Sequence, residues 1–168
     1  MIWAVALAAA HAEPCTASLS EPPPNLSVAW VSPLGRRVSS RGYLSVVSAT
    51  ELRKWVAAEQ PGLGRLLQHL GLRHKDKDPR RRYKITVFDA KASELCRPLD
   101  DAIEGEVVAG IAACPANRAD VDASDGCGSW VDHATGQPSL AVYRVRWLEA
   151  ARDGFCVLPA ERFLRPGP

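Results

Sequence analysis

The chain has 168 residues, of which 46% are hydrophobic and 24% are charged. This composition is typical of one globular domain and excludes a collagen-like repeat, a coiled coil and a disordered tail. The 21 Lys and Arg residues nearly balance the 19 Asp and Glu residues, and a net charge of +2 is too small to indicate a partner. No apolar run reaches the roughly 18 to 20 residues that a membrane-spanning helix needs, so we expect no membrane span.

The N-terminus has two features of an export signal. Residues Ile2 to Ala10 are apolar, and Ala10-His11-Ala12 is a small-x-small pattern after which signal peptidase cuts. We therefore predict a signal peptide over residues 1–12 and a periplasmic or secreted protein, although no Lys or Arg precedes the apolar stretch. The alternative is a short buried N-terminal helix or strand. The prolines within residues 13–27 predict an extended arm, which leaves residues 28–168 as a single domain.

All five cysteines lie beyond the predicted cleavage site, and no C-x-x-C pattern indicates a zinc or redox site. In an oxidising compartment such cysteines are typical of disulfides. Cys114 and Cys127 bracket a polar loop, so we expect them to pair with each other. A second bridge is predicted between Cys96 and Cys156. Cys15 is then the odd cysteine, without a predicted partner within the chain.

The clearest local signal is a helix start. Ser48 and Glu51 have the spacing of a capping box, and Val47 and Leu52 have that of a hydrophobic staple. The pattern predicts a helix from Ala49 to about Gln60, before Pro61.

A second helix should follow, because leucines recur at the i, i+3, i+4, i+7 spacing of a core-facing stripe from Leu63 to Leu70, before Gly71. Apolar runs predict strands at Gly42–Val47, Tyr83–Asp89, Gly105–Ala112, Ser139–Trp147 and Phe155–Leu158, and a helical turn at Ser93–Arg97. Early helices and late strands without regular alternation predict an α+β fold, in which a short helical hairpin packs on a mainly antiparallel sheet stapled by disulfides.

Charge is segregated within the chain. The segment Arg73 to Lys84 has seven Lys or Arg and two Asp, a net charge of +5, whereas Glu94 to Glu106 has five acids and one Arg, a net charge of −4. Charge runs of this kind are usually solvated loops, but they can also steer a charged partner. The candidate binding residues are Arg80, Arg81, Arg82, Tyr83 and Lys84.

The turn between the two helices suggests another function. Pro61-Gly62-Leu63-Gly64-Arg65, flanked by helices, resembles the helix-hairpin-helix of non-sequence-specific DNA binders. The resemblance implies that backbone N–H groups near Gly62 and Gly64 approach a phosphate, with Arg65 as an added contact. The alternative is a compact connection between packed helices.

Catalytic and metal signals are weak. Cys127 or Ser129 with His133 would supply the groups of a hydrolase, but proximity along the chain is poor evidence for a site assembled in space. The acidic loop Asp120 to Gly126 has its glycine one position late for a calcium loop and lacks the final Glu. We expect no metal and no cofactor.

The sequence therefore favours a small exported protein without catalysis that binds a macromolecular partner, most simply another protein, as inhibitors, immunity proteins and envelope accessory proteins do. DNA binding through Pro61–Gly64 is the first alternative, and a secreted hydrolase is the second.

Overall fold

A computed structural model describes residues 24–34, 43–72, 82–99, 107–108, 110–114, 127–146 and 155–165. These residues form nine strands and three α-helices. Seven of the eight pairings between the described strands are antiparallel, and one is parallel. The predicted α+β class with a mainly antiparallel sheet is confirmed. No described helix is long and apolar enough to cross a membrane. The predicted signal peptide and Cys15 lie outside the described residues.

The strands are β1 (Asn25–Pro33), β2 (Tyr43–Ser48), β3 (Tyr83–Lys91), β4 (Leu95–Arg97), β5 (Val107–Val108), β6 (Ile111–Ala113), β7 (Ser129–Val131), β8 (Pro138–Arg146) and β9 (Cys156–Pro159). The helices are α1 (Ala49–Glu59), α2 (Leu63–His69) and α3 (Ala160–Phe163).

The strand order is β5-β6-β4-β8-β2-β1-β3-β9, with β7 paired to β8 away from this path. Strand β1 pairs antiparallel with β3 along its whole length, from Asn25 opposite Lys91 to Pro33 opposite Tyr83. The β4–β6 pairing is parallel, and the other pairings between strands are antiparallel. Strand β9 pairs with β3 and is the last strand on that side among the residues that the structure describes.

Helix α1 begins where the capping pattern predicts. The Ser48 hydroxyl accepts a hydrogen bond from the Glu51 N–H at 3.3 Å, which satisfies one of the unpaired donors of the first turn. The helix ends at Gln60, whose backbone is left-handed (φ 46°) and whose N–H donates to the Val56 carbonyl. Leu52 and Val56 are buried and direct this helix onto the sheet.

Helix α2 also forms within the predicted range and buries Leu66 and Leu67. Its packing against α1 as a helical hairpin stays a prediction. The predicted turn at Ser93–Arg97 is wrong in part, because a 3-10 turn occupies Ala92–Glu94 and Leu95–Arg97 is strand β4.

The sheet is buried on both faces. Alternate residues of a strand point to opposite faces, and two hydrophobic clusters follow this alternation. On the first face, all three helices contribute to the cluster, which contains Ala29, Val47, Ala49, Leu52, Val56, Leu66, Leu70, Ile85, Trp130, Val142, Ala160 and Phe163. The cluster on the second face contains Leu26, Val28, Trp30, Leu44, Val46, Phe88, Ala90, Leu95, Ile111, Tyr143 and Val145.

The predicted disulfide pairing is wrong. Cys96 bonds to Cys114, with their Cα atoms 4.9 Å apart, because β4 and β6 are neighbouring parallel strands. Cys156 is a free, exposed thiol on the edge strand β9. Cys127 is disulfide-bonded, and its partner lies outside the described residues.

Two further boundaries differ from prediction. The sheet begins at Asn25, so the last residues of the predicted arm, Asn25 to Ser27, belong to β1. The single strand predicted at Gly105–Ala112 is replaced by β5 and β6, which pair with each other antiparallel around Gly110 at φ 78°. Glycine adopts this backbone conformation without steric cost.

Candidate functional site

Part of the predicted binding segment lines a surface pocket at the β9 edge of the sheet. The pocket has a volume of about 420 Å³ and is lined by Leu34, Arg82, Tyr83, Lys84, Val157, Pro159 and Glu161. We call this set of residues the basic pocket. Arg80 and Arg81 lie outside the described residues.

Strand register explains why residues so distant in the chain meet there. The Leu34 N–H donates to the Arg82 carbonyl at 2.8 Å, which continues the β1–β3 ladder beyond Pro33. Lys84 lies opposite Pro159 in the β3–β9 ladder, and Val157 lies opposite Thr86. The pocket is therefore built from both neighbours of β3.

The alternation of the strands places part of the pocket lining on the second face. Trp30 and Phe88 belong to the second-face cluster, so Leu34 and Lys84, which are an even number of residues away, point to the same side. Val157 shares that side through its pairing with Thr86. Tyr83 packs against the first-face cluster and Glu161 belongs to α3, so the pocket spans the β9 edge of the sheet.

The basic pocket combines charge with exposed apolar surface. Leu34 is 59% exposed and Val157 is 44% exposed, although both are large apolar side chains. Arg82 and Lys84 supply two positive charges, and Glu161 supplies one negative charge. Apolar surface beside charge is typical of the centre and rim of a protein interface.

A second polar arrangement connects α2 to the turn between β7 and β8. Asp132 is buried and accepts two hydrogen bonds from the Arg65 guanidinium, from Nη1 at 3.0 Å and from Nη2 at 2.7 Å. The His69 Nδ1 lies 2.9 Å from the same carboxylate, and the Ala134 N–H donates to it at 2.9 Å. The His69 ring stacks on Trp55 with ring centres 3.8 Å apart.

The electrostatics of this cluster favour an ionised Asp132. Burial alone would raise the pKa of Asp132, but hydrogen bonds from Arg65, His69 and the Ala134 N–H outweigh burial and hold the pKa well below its usual range. A histidine oriented by a carboxylate is also the arrangement of a catalytic base. However, the remaining His69 nitrogen, Nε2, is buried and makes no hydrogen bond within the described structure, so a substrate has no access to it. The cluster therefore acts as a clamp between α2 and the β7–β8 turn.

This clamp also affects the DNA-binding interpretation. Gly62 precedes α2 and Gly64 lies in its first turn, as the motif requires, but α2 has only seven residues. The Arg65 guanidinium is held by Asp132 on both of its outer nitrogens, so it is not presented to a phosphate. DNA binding stays a prediction from the sequence.

The groups of the hydrolase alternative are not brought together as a triad. Cys127 is in a disulfide and has no thiolate to offer as a nucleophile. Ser129 is buried in β7. His133 is exposed in the turn, and its backbone N–H donates to the Gln68 carbonyl. Asp132 bonds to His69 instead of His133.

Sequence reasoning missed the Asp132 clamp. Arg65 and His69 are four residues apart and so share one face of α2, which was the available signal for a common partner. The partner is 63 residues beyond His69 in the chain, and spacing alone does not identify it. The apolar part of the basic pocket was missed for the same reason, since Leu34 and Val157 come from opposite ends of the domain.

Comparisons of the chain with family models, with curated proteins and with solved structures find no match in any of the three.

Proposed function

We propose that the protein is an exported, disulfide-stapled domain that binds another protein through the basic pocket. The observation that carries the proposal is that Arg82, Tyr83 and Lys84, at the end of the basic segment, line one pocket together with exposed Leu34 and Val157.

The physical argument is that each part of the pocket has a separate role in association. Burial of Leu34 and Val157 against a partner would remove apolar surface from water and favour the complex. Arg82 and Lys84 would accelerate encounter with a partner of opposite charge and select its orientation. Two cations alone bind weakly, and an apolar patch alone is unselective, so the combination supports a specific interface.

Export is supported by two features. The apolar stretch before Ala12 has the form of a signal peptide. The Cys96–Cys114 disulfide is of a kind that persists mainly in oxidising compartments. Intact mass of the protein expressed with its native N-terminus tests this part, because cleavage after Ala12 predicts loss of residues 1–12.

Site-specific photo-cross-linking in the producing cell tests the binding proposal. A photoreactive residue at Val157, on the pocket, should give a discrete adduct with one partner protein. The control places the same residue at Lys54, which is exposed on α1 and so on the helix-covered side of the sheet. An adduct at position 157 only supports the proposal, whereas no adduct at 157, or equal adducts at both positions, contradicts it.

A further inference from the structure

We infer that the segment recognised at the basic pocket is an acidic, extended stretch of the partner that adds to the sheet alongside β9. This inference rests on the proposed function and specifies the chemistry of the partner. Three observations carry it: the position of β9, the face on which the charges lie, and the composition of the pocket lining.

Strand β9 is the last strand of the described sheet on its side and pairs with β3 through its other edge. Its residues Cys156, Val157 and Pro159 are exposed. Alternate residues of an antiparallel edge strand direct their N–H and C=O groups away from the sheet, where an extended peptide can pair with them. Pro159 removes one donor at the end of β9 and so limits the pairing to a short segment.

The two cations lie on one face of the sheet with a strand's periodicity. Arg82 directly precedes β3 and Lys84 is the second residue of that strand, so in extended backbone their side chains point to the same side and lie roughly 7 Å apart. An extended segment that runs alongside β9 repeats the same spacing, so acidic residues at its positions i and i+2 match the two cations. An apolar residue of the segment on this face would contact Val157, which lies beside the cations.

The pocket lining favours a peptide over a nucleic acid. Leu34, Val157 and Pro159 offer apolar contacts that a phosphate backbone does not use. Glu161 in the same lining disfavours a continuous row of phosphates more than two carboxylates separated by an uncharged residue. Nucleic-acid affinity comes mainly from an array of phosphate contacts, and the lining has two cations.

Fluorescence anisotropy with a defined probe tests the inference. The probe is the eight-residue peptide Thr-Asp-Thr-Asp-Thr-Val-Thr-Thr, acetylated, amidated and labelled, in which the two acids and the Val share one face of an extended strand. The first control peptide replaces Asp by Asn, and the second keeps every charge but carries N-methyl groups on alternate residues, which block strand pairing. We expect each control peptide to bind at least tenfold more weakly than the probe.

Protein variants locate the binding. Arg82→Glu with Lys84→Glu should weaken binding of the probe at least tenfold, and the milder pair Arg82→Gln with Lys84→Gln should weaken it by a smaller factor. Lys54→Glu changes the charge of the protein on the helix-covered side and should leave affinity unchanged. Circular dichroism and thermal melting of each variant verify that it is folded.

Several results would overturn the inference: no binding of the probe at millimolar concentration, equal binding of the N-methylated peptide, or tighter binding of an eight-nucleotide single-stranded DNA. These results are distinguishable from failure of the proposed function. If Val157 still cross-links to one partner protein while the probe does not bind, the partner occupies the pocket in another way. The inference about an acidic added strand is then wrong, and the proposed function stands.

Discussion

Asp132 shows how one buried carboxylate determines local structure. It bonds to two side chains of α2 and to the backbone of its own turn. The Ser139 hydroxyl adds a hydrogen bond to the His69 carbonyl at 2.6 Å, so backbone and side-chain contacts join the same two elements. Removal of the carboxylate charge would leave Arg65 and His69 facing a neutral group in a largely buried site.

Replacement of Asp132 should therefore destabilise the protein. We expect Asp132→Asn to lower the free energy of unfolding by on the order of 3 kcal/mol, because it breaks a largely buried ion pair and keeps the size of the side chain. Asp89→Asn, at an exposed position of β3, is the matched control and should have little effect. Urea denaturation measures both, and equal effects would contradict the role assigned to Asp132.

The same carboxylate predicts a dependence of stability on pH. The pKa of Asp132 is lower in the folded protein than its ordinary value of 3.8, so its contribution is fully present above about pH 4 to 5 and is lost as the pH falls through the ordinary value towards the folded one. The stability of the wild type should therefore fall more steeply than that of Asp132→Asn over this acid range. Parallel profiles from urea denaturation between pH 6 and pH 3 would show that Asp132 is not the group responsible.

Gly128 is a second residue whose identity is fixed by its surroundings. Its φ is +82°, and a Cβ there would lie 2.9 Å from Nε of the fully buried Arg97. Gly136 has a similar φ of +69° but open space around its Cα, which makes it a matched control. Gly128→Ala therefore adds a steric conflict to the backbone cost that both positions share.

We expect Gly136→Ala to cost about 1 to 2 kcal/mol of stability from the left-handed backbone alone. Gly128→Ala should cost more than that, on the order of 3 kcal/mol in total, because Arg97 is held in place by its hydrogen bond to the Gly128 carbonyl at 3.2 Å. Thermal melting compares the two variants. A loss no larger for Gly128→Ala than for Gly136→Ala would mean that Arg97 moves aside at no cost.

At the scale of elements, local signals in the sequence predicted the bounds of α1 and α2 well, whereas the short helix α3 was not predicted. The start of α1 depends on Ser48 and Glu51, which are three residues apart, and its buried face depends on Leu52 and Val56. These interactions lie within one or two turns, so spacing reveals them. The long strands β3 and β8 were likewise predicted from their apolar alternation.

Elements without a local signature were missed. Strand β1 follows a run of prolines that suggested an arm, yet it lies between β2 and β3 in the sheet and is buried on both faces. A strand of this kind has a mixed apolar pattern because neighbours cover both sides. Strand β4 has three residues, and its assignment depends on its pairing with β6 and β8.

The Cys96–Cys114 disulfide joins two of these weakly marked elements. It closes a separation of 18 residues, so we expect Cys96→Ala with Cys114→Ala to lower stability by about 3 kcal/mol, because the unfolded chain regains conformational freedom. Cys156→Ala removes an exposed free thiol and is the control. Guanidinium denaturation of both variants without reductant measures the difference, and an effect of Cys156→Ala as large as that of the double variant would contradict this assignment.

At the scale of the whole molecule, the Asp132 clamp and the basic pocket lie in different parts of the described protein. The helices pack on the first face, where the Asp132 clamp fixes α2 to the β7–β8 turn. The basic pocket lies at the β9 edge of the sheet. The residues of the Asp132 clamp and those of the proposed binding pocket do not overlap, so each set can be changed without the other.

The sequence identified the charged part of the basic pocket but neither its shape nor its apolar part. Arg82, Tyr83 and Lys84 are consecutive and stand out as the end of a charge run. The positions of Leu34 and Val157 depend on the strand order β1-β3-β9, which long-range pairing sets. The disulfide prediction was wrong for the same reason, since it used separation along the chain and the pairing depends on which strands are neighbours.

The central claim is that the basic pocket binds a partner protein. The most direct test is to capture that partner from an extract of the producing cell with purified variants and to measure how much of it each variant recovers. Arg82→Glu with Lys84→Glu should reduce recovery of the partner cross-linked at Val157 at least tenfold. The melting temperature should stay within about 2 °C of the wild type, because Arg82 is exposed and Lys84 is only half-buried. Lys54→Glu should recover as much partner as the wild type. Undiminished recovery by the folded double variant would contradict the account.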